Sequence, residues 1–148
     1  MRSKPIHILL ADDDEADRLI FSEAFEELKL NTDVRMVENG VQLMDYLNNP
    51  NNNLPDLLFL DLNMPRKNGM ECLKEIRRNP ELKDIAVAIY STSAAQKDIE
   101  ETFRNGANIY ISKPNDFNKL KQVLKKATLD TAVYMEPPFK KENFLLNI

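Results

Sequence analysis

The chain has 148 residues, 43% hydrophobic and 30% charged, a balance that supports one packed domain and excludes wholesale disorder. Its net charge of −4 gives no basic footprint for nucleic acid, so no DNA partner is expected; a DNA-binding role would need a further module, for which no length remains. The single cysteine, Cys72, excludes an internal disulfide framework and suits a reducing compartment, and one histidine beside it cannot make a zinc site of the usual His/Cys kind. The apolar run after Met1–Pro5 is too short for a signal peptide or a membrane helix, which predicts a cytoplasmic protein without a membrane partner.

In chain order, residues 6–11 (IHILLA) read as a short apolar strand that runs into Asp12-Asp13-Asp14, with Asp14 expected to cap the helix that follows. Phe21, Ala24, Phe25 and Leu28 then recur at helical spacing. Residues 33–37 (DVRMV) form a second strand that Arg35 interrupts, as suits a sheet edge. A helix over about 39–47 opens with Asn39 and Gln42 spaced as a capping pair, and the polar stretch 48–53 is a loop. Strand 56–60 (DLLFL) ends at Asp61, and a helix over roughly 69–78 turns Cys72, Leu73 and Ile76 inward. Strand 85–91 (IAVAIYS) runs into Ser91-Thr92-Ser93. The next helix is expected to open with Ser93–Gln96 as a capping box, bury Ile99 and Phe103, and stop at Asn105-Gly106. Strand 108–112 (NIYIS) ends at Lys113-Pro114, and a last helix carries Phe117, Leu120, Leu124 and Ala127 on one face.

Five βα units in succession imply an α/β domain, a (βα)5 doubly wound parallel sheet of five strands. Right-handed crossovers leave few topologies, and the order 2-1-3-4-5 is expected, with ligands at the carboxyl ends of the strands beside the switch point between strands one and three. Four strand ends then deliver Asp12 and Asp13, Asp61, Ser91 and Lys113 to one rim. Clustered carboxylates repel unless one is protonated or a cation sits among them, and their hard oxygens suit Mg²⁺ with a phosphate oxygen. Each residue alone has a plainer role as a turn, a cap or a surface charge; four independent strand ends in agreement point to phosphoryl chemistry on a carboxylate.

The segments LLADD (9–13), FLDLNMPRKNG (59–69), AIYSTS (88–93) and YISKP (110–114) resemble the receiver domain of two-component response regulators over about residues 5–128. Asp61 and Ser91 lie 30 positions apart and Ser91 and Lys113 22, intervals similar to those of the family. The resemblance implies that Asp61 is the phosphoacceptor for a phosphohistidine on a sensor histidine kinase or a histidine phosphotransfer protein. It implies Mg²⁺ held by Asp13 directly, by Asp12 through water, by Asp61, and by the backbone carbonyl of Asn63. Lys113 and Ser91 would contact the phosphoryl oxygens, and Thr92, bulkier than the residue often found there, would narrow access to Asp61. Tyr110 would move inward with Ser91 and reshape the face of helix four, strand five and helix five, and the bond before Pro114 would be cis. The expected domain is 1–128, followed by a C-terminal extension, 129–148, without a separate domain; the whole reads as a stand-alone regulator that binds partner proteins or passes the phosphoryl group onward.

Two other readings stay open. A phosphorylation-independent binding module would keep the face and leave the acidic site vestigial. An aspartyl-phosphate hydrolase would want an acid two residues after its nucleophile, where this chain has Asn63. A flavodoxin-like cofactor carrier lacks a glycine-rich loop after strand one. In the extension, Pro137-Pro138 sets apart Phe139, Phe144, Leu145, Leu146 and Ile148, for which disorder, docking on the domain, and contact with a kinase or a second copy in a homodimer are all open.

Overall fold

The computed structural model describes residues 4–130 and 144–146. Strands and helices alternate as β1 (Ile6–Ala11), α1 (Glu15–Leu28), β2 (Thr32–Val37), α2 (Gly40–Asn48), β3 (Leu57–Leu60), α3 (Gly69–Arg78), β4 (Ala86–Ser91), α4 (Gln96–Arg104), β5 (Ile109–Ser112) and α5 (Phe117–Leu129). The strands are parallel in the order β2-β1-β3-β4-β5, as the sequence predicts. This is the doubly wound, flavodoxin-like arrangement.

Neighbouring residues on a strand point to opposite faces. Leu9, Leu58, Leu60, Val87 and Ile89 therefore join a core with α2 and α3, while Ile8, Leu10, Phe59 and Ala88 join a second with α1 and α5. Both faces of β3 and β4 are buried along their whole length, which is why those strands are continuous apolar runs. Arg35 is exposed on edge strand β2, as expected. The predicted strands 56–60, 85–91 and 108–112 each begin one residue later in the structure. At two of those starts a side chain takes the next rung: Asp56 Oδ2 accepts from the His7 N–H and Asn108 Oδ1 from the Val87 N–H, each at 2.8 Å. His7 makes an edge contact, its Nδ1 3.5 Å from Asp33 Oδ2.

Helix ends follow side-chain chemistry. Asp14 caps α1 by accepting from the Asp17 N–H, and Asn39 caps α2 by accepting from the Gln42 N–H. Gln42 reaches back to the Glu38 N–H, one residue earlier than a reciprocal box requires. A full box forms instead between Asn68 and Glu71 at α3.

The expected Ser93–Gln96 box is corrected: α4 begins at Gln96, and its N-cap Ala95 makes no side-chain bond. Ser93 is held in the loop on three sides. Its N–H donates to Ser91 Oγ, its carbonyl accepts from Tyr110 Oη, and its hydroxyl donates to Asp98 Oδ2. Ile99 and Phe103, expected to be buried, are half-buried; the fully buried residue of α4 is Thr102. Part of the cover over Phe103 comes from the tail, whose Phe144 ring lies 5.2 Å away.

Of the tail, Phe144–Leu146 dock on the parent domain along β5. The Tyr110 N–H donates to the Phe144 carbonyl at 2.8 Å and the Leu146 N–H donates to the Tyr110 carbonyl at 3.0 Å. Pro137-Pro138, Phe139 and Ile148 lie outside the described residues.

Candidate functional site

The sheet's hydrogen-bond ladder carries the polar residues to their places. The Asp12 N–H donates to Val37 O at 3.1 Å, the Asp61 N–H to Ala11 O at 3.0 Å and the Lys113 N–H to Ser91 O at 2.8 Å. Each is the first residue past its strand, pinned by a last rung to the neighbouring strand. The turn beyond is then clamped by a side chain accepting from an amide two residues on. Asp12 Oδ1 accepts from the Asp14 N–H at 3.0 Å, Asp61 Oδ1 from the Asn63 N–H at 3.3 Å, and Ser91 Oγ from the Ser93 N–H at 3.1 Å. This leaves Oδ2 of both aspartates turned to the pocket.

The β3–α3 loop is drawn tight around Asp61. A side chain at Gly69 would put its Cβ 2.2 Å from the Asp61 carbonyl, and one at Gly40 would lie 2.1 Å from the Lys67 carbonyl, so only glycine lets α3 and α2 start this close. Within the loop the Lys67 N–H donates to Pro65 O at 2.7 Å, and Arg66 between them has a φ of 68°, a γ-turn with a left-handed residue.

Lys113 lies at the centre of the pocket. Its Nζ is 2.7 Å from Asp12 Oδ2, 2.9 Å from Asp17 Oδ2 and 3.5 Å from Asp61 Oδ2. It also sits over the Tyr90 ring, 5.2 Å from the centroid. Asp12 and Asp61 are 0% and 6% exposed, so these charges interact in little water. Burial pushes Asp61 up to about 6; Lys113 opposes that rise and Asp12 adds to it. For Lys113 burial opposes the charge, but its bonds to Asp12 and Asp17 and the field of Asp61 hold it above the ordinary lysine range.

One carboxylate oxygen from each of Asp12, Asp13 and Asp61 lies within 4.8 Å of the other two. Asp13 is exposed and closes the solvent side. Three hard oxygen donors at one mouth fit a small divalent cation such as Mg²⁺, and the buried ammonium already bonded to Asp12 marks the pocket as one that wants positive charge. Ser91 is fully buried at the end of β4, while Thr92 and Asn63 are exposed at the rim and Pro114, after Lys113, is half-buried. Tyr110, expected to swing inward, is already fully buried, with its hydroxyl donating to Ser93 O at 2.8 Å.

Sequence reasoning missed two contributors. Asp17, the third residue of α1, faces back over the cap and reaches Lys113; the D-x-x-D spacing from Asp14 to Asp17 was the available signal, and it has a sufficient local explanation as a cap. Tyr90 looks like one more core residue of β4, and its contact with Lys113 depends on strand pairing alone. Arg18 is a lesser support, donating to the Asp12 carbonyl at 2.8 Å.

The family described as the response regulator receiver domain matches residues 8–125. Response regulator Rcp1 of Synechocystis is 32% identical over 78% of this chain and 82% of that protein. A probable methanogenesis regulatory protein, FilR2, of Methanothrix harundinacea is 31% identical over 82% of this chain and 81% of its own. Among solved structures, the phosphorylated cyanobacterial phytochrome response regulator RcpA superposes with a TM-score of 0.78 at 34% identity, covering 86% of this chain and 96% of that one. The Mn²⁺-bound form of Rcp1 has a TM-score of 0.74 at 29% identity, over 90% and 96% of the two chains. Asp12, Asp13 and Asp61 cluster as acidic residues do in a phosphoaspartate and Mg²⁺ site. With its strand order, its acidic mouth and these relatives in agreement, the chain belongs to the response regulator receiver domains of two-component signalling.

Proposed function

We propose that this protein is a phosphorelay switch whose phosphoacceptor is Asp61. An Asp61 carboxylate oxygen attacks the phosphorus of a phosphohistidine on a sensor histidine kinase or a histidine phosphotransfer protein. The P–N bond breaks and the imidazole leaves with the electron pair, taking up a proton. Asp12, Asp13, Asp61 and the Asn63 carbonyl would hold Mg²⁺, which supplies charge neutralisation for the phosphoryl oxygens. Lys113 supplies a second, permanent cation to those oxygens, and Ser91 and the Thr92 segment at the end of β4 receive the new charge. Tyr110 carries the change to the face of α4, β5 and α5, where a partner protein, or a second copy in a homodimer, would bind.

The observation that carries this reading is the triple contact of one buried ammonium with Asp12, Asp17 and Asp61, side chains from β1, α1 and β3 that meet only through this fold. Asn63 offers no carboxyl proton, which favours a signalling role over an aspartyl-phosphate hydrolase. The relatives belong, by their names, to methanogenesis control, phytochrome signalling and chemotaxis, so what they have in common is the receiver and not a pathway. The receiver is taken as residues 1–128 with 129–148 as an extension, and a cytoplasmic setting fits the described residues, where no helix is long and apolar enough to cross a membrane. The test is incubation with Mg²⁺ and acetyl phosphate followed by intact-mass measurement. Wild type should gain one phosphoryl group and Asp61→Asn none; a gain on both proteins would overturn the assignment.

A further inference from the structure

In the described residues β5 is the outer strand of the sheet, and one short piece of chain covers part of its open edge. Phe144–Leu146 run parallel to β5 and, among the described residues, their main-chain bonds go to Tyr110, through both its N–H and its carbonyl. Phe144 is 2% exposed, its ring against Phe103 of α4 at 5.2 Å and Tyr110 at 6.1 Å. Leu146 packs on the other core, beside α1 and α5, so the tail straddles the strand edge. Leu145 between them is 40% exposed. The contact is thus two main-chain bonds, one aromatic pocket and one aliphatic rest, the combination by which sheet edges bind extended peptides: the main chain gives affinity and the pocket gives selectivity.

We propose that the β5 edge is a strand-acceptor site for partner proteins, taking an extended segment with an aromatic residue followed two positions later by an aliphatic one, and that Phe144–Leu146 of the same chain is its built-in competitor. Residues 131–143 between α5 and the docked segment number 13 and reach up to about 45 Å when extended, more than the half-width of a domain this size, so the tail reaches its own edge. A tether of that length holds the tail near its edge at an effective concentration on the order of millimolar. A partner strand must compete with it. The inference rests on the reading of the α4–β5–α5 face as the output face and adds what that face recognises and what occupies it at rest. The partner meets the protein at Tyr110, whose side chain contacts the Ser93 carbonyl beside the phosphoryl-binding turn.

The test uses full-length protein and a fluorescent peptide of residues 141–148 (KENFLLNI), read by anisotropy without metal or phosphodonor, so that its failure is separable from failure of the phosphoacceptor reading. Phe144→Ala should bind the peptide at least tenfold more tightly than wild type, and a peptide with alanine in place of its phenylalanine should bind neither. Amide exchange gives a second readout: the Tyr110 N–H should exchange at least tenfold faster in Phe144→Ala, with the β1 and β3 amides unchanged as evidence of folding. Equal peptide affinity in both proteins, or no binding to Phe144→Ala at millimolar peptide, would overturn the proposal. A wild-type dimer that Phe144→Ala dissolves in sedimentation would also overturn it, because the tail would then dock on a second copy.

Discussion

Asp61 is asked to be ionised while burial and Asp12 disfavour its charge. Its folded value of about 6 lies above the ordinary 3.8, so between those values the folded chain holds a proton that the unfolded chain releases. Folding therefore loses stability as pH rises through that window, and the loss is complete above it. Without divalent cation, Asp61→Asn should be more stable than wild type at pH 7.5 by on the order of 2 kcal/mol, and the gap should close as pH falls toward 4. Thermal unfolding across this range checks the sign; a variant less stable than wild type at pH 7.5 would show that Lys113 outweighs burial. The same residue scale separates what was legible from what was not. Asp12, Asp61, Ser91 and Lys113 stand out because each ends an apolar run, so its polarity has no packing explanation. Asp17 and Tyr90 have complete local explanations, as a cap and as core, and their contacts with Lys113 arise only when β5 is placed beside β4.

At the scale of elements, helix placement depends on a few side chains that reach between them. Arg77 near the end of α3 donates to Gly106 O, Lys83 O, Ile85 O and Asn108 Oδ1 at 2.7–2.9 Å, joining α3 to the starts of β4 and β5 and the end of α4. Arg77→Ala would leave several carbonyls without this donor and should cost about 2–3 kcal/mol in urea unfolding. Arg77→Lys should recover little of it, since an ammonium lacks the fork that spans four acceptors. An unchanged midpoint in Arg77→Ala would mean that water replaces the network. Nothing in the sequence marks this arginine, since a basic residue in a last helical turn is already explained by the helix dipole. The start of α4 was misread for a related reason. Ser93 has the local chemistry of a cap, but its hydroxyl accepts only from the Ala95 N–H before the helix and its other bonds go to Ser91, Asp98 and Tyr110, and the pull of Tyr110 from β5 is a tertiary effect.

At the scale of the molecule, strand order follows from the βα alternation and from the one polar strand, β2, taking an edge. That order brings the ends of β1 and β3 together and sets β4 and β5 beside them, so one rim gathers groups more than a hundred positions apart in sequence, as between Asp12 and Lys113. The other edge, β5, was legible as part of a face but not as a tail-binding groove, because an apolar chain end fits several fates equally well. A convergent pocket makes a prediction that scattered surface groups do not: the ammonium and a divalent cation compete for the same carboxylates. Calorimetric titration of Mg²⁺ into wild type, Asp13→Asn and Lys113→Met tests it. One ion should bind wild type, Asp13→Asn should bind it at least tenfold more weakly, and Lys113→Met, which keeps an unbranched side chain but removes the charge that bonds Asp12 and lies over Tyr90, should bind it about tenfold more tightly. Unchanged Mg²⁺ affinity in both variants would contradict a single pocket formed by these strand ends.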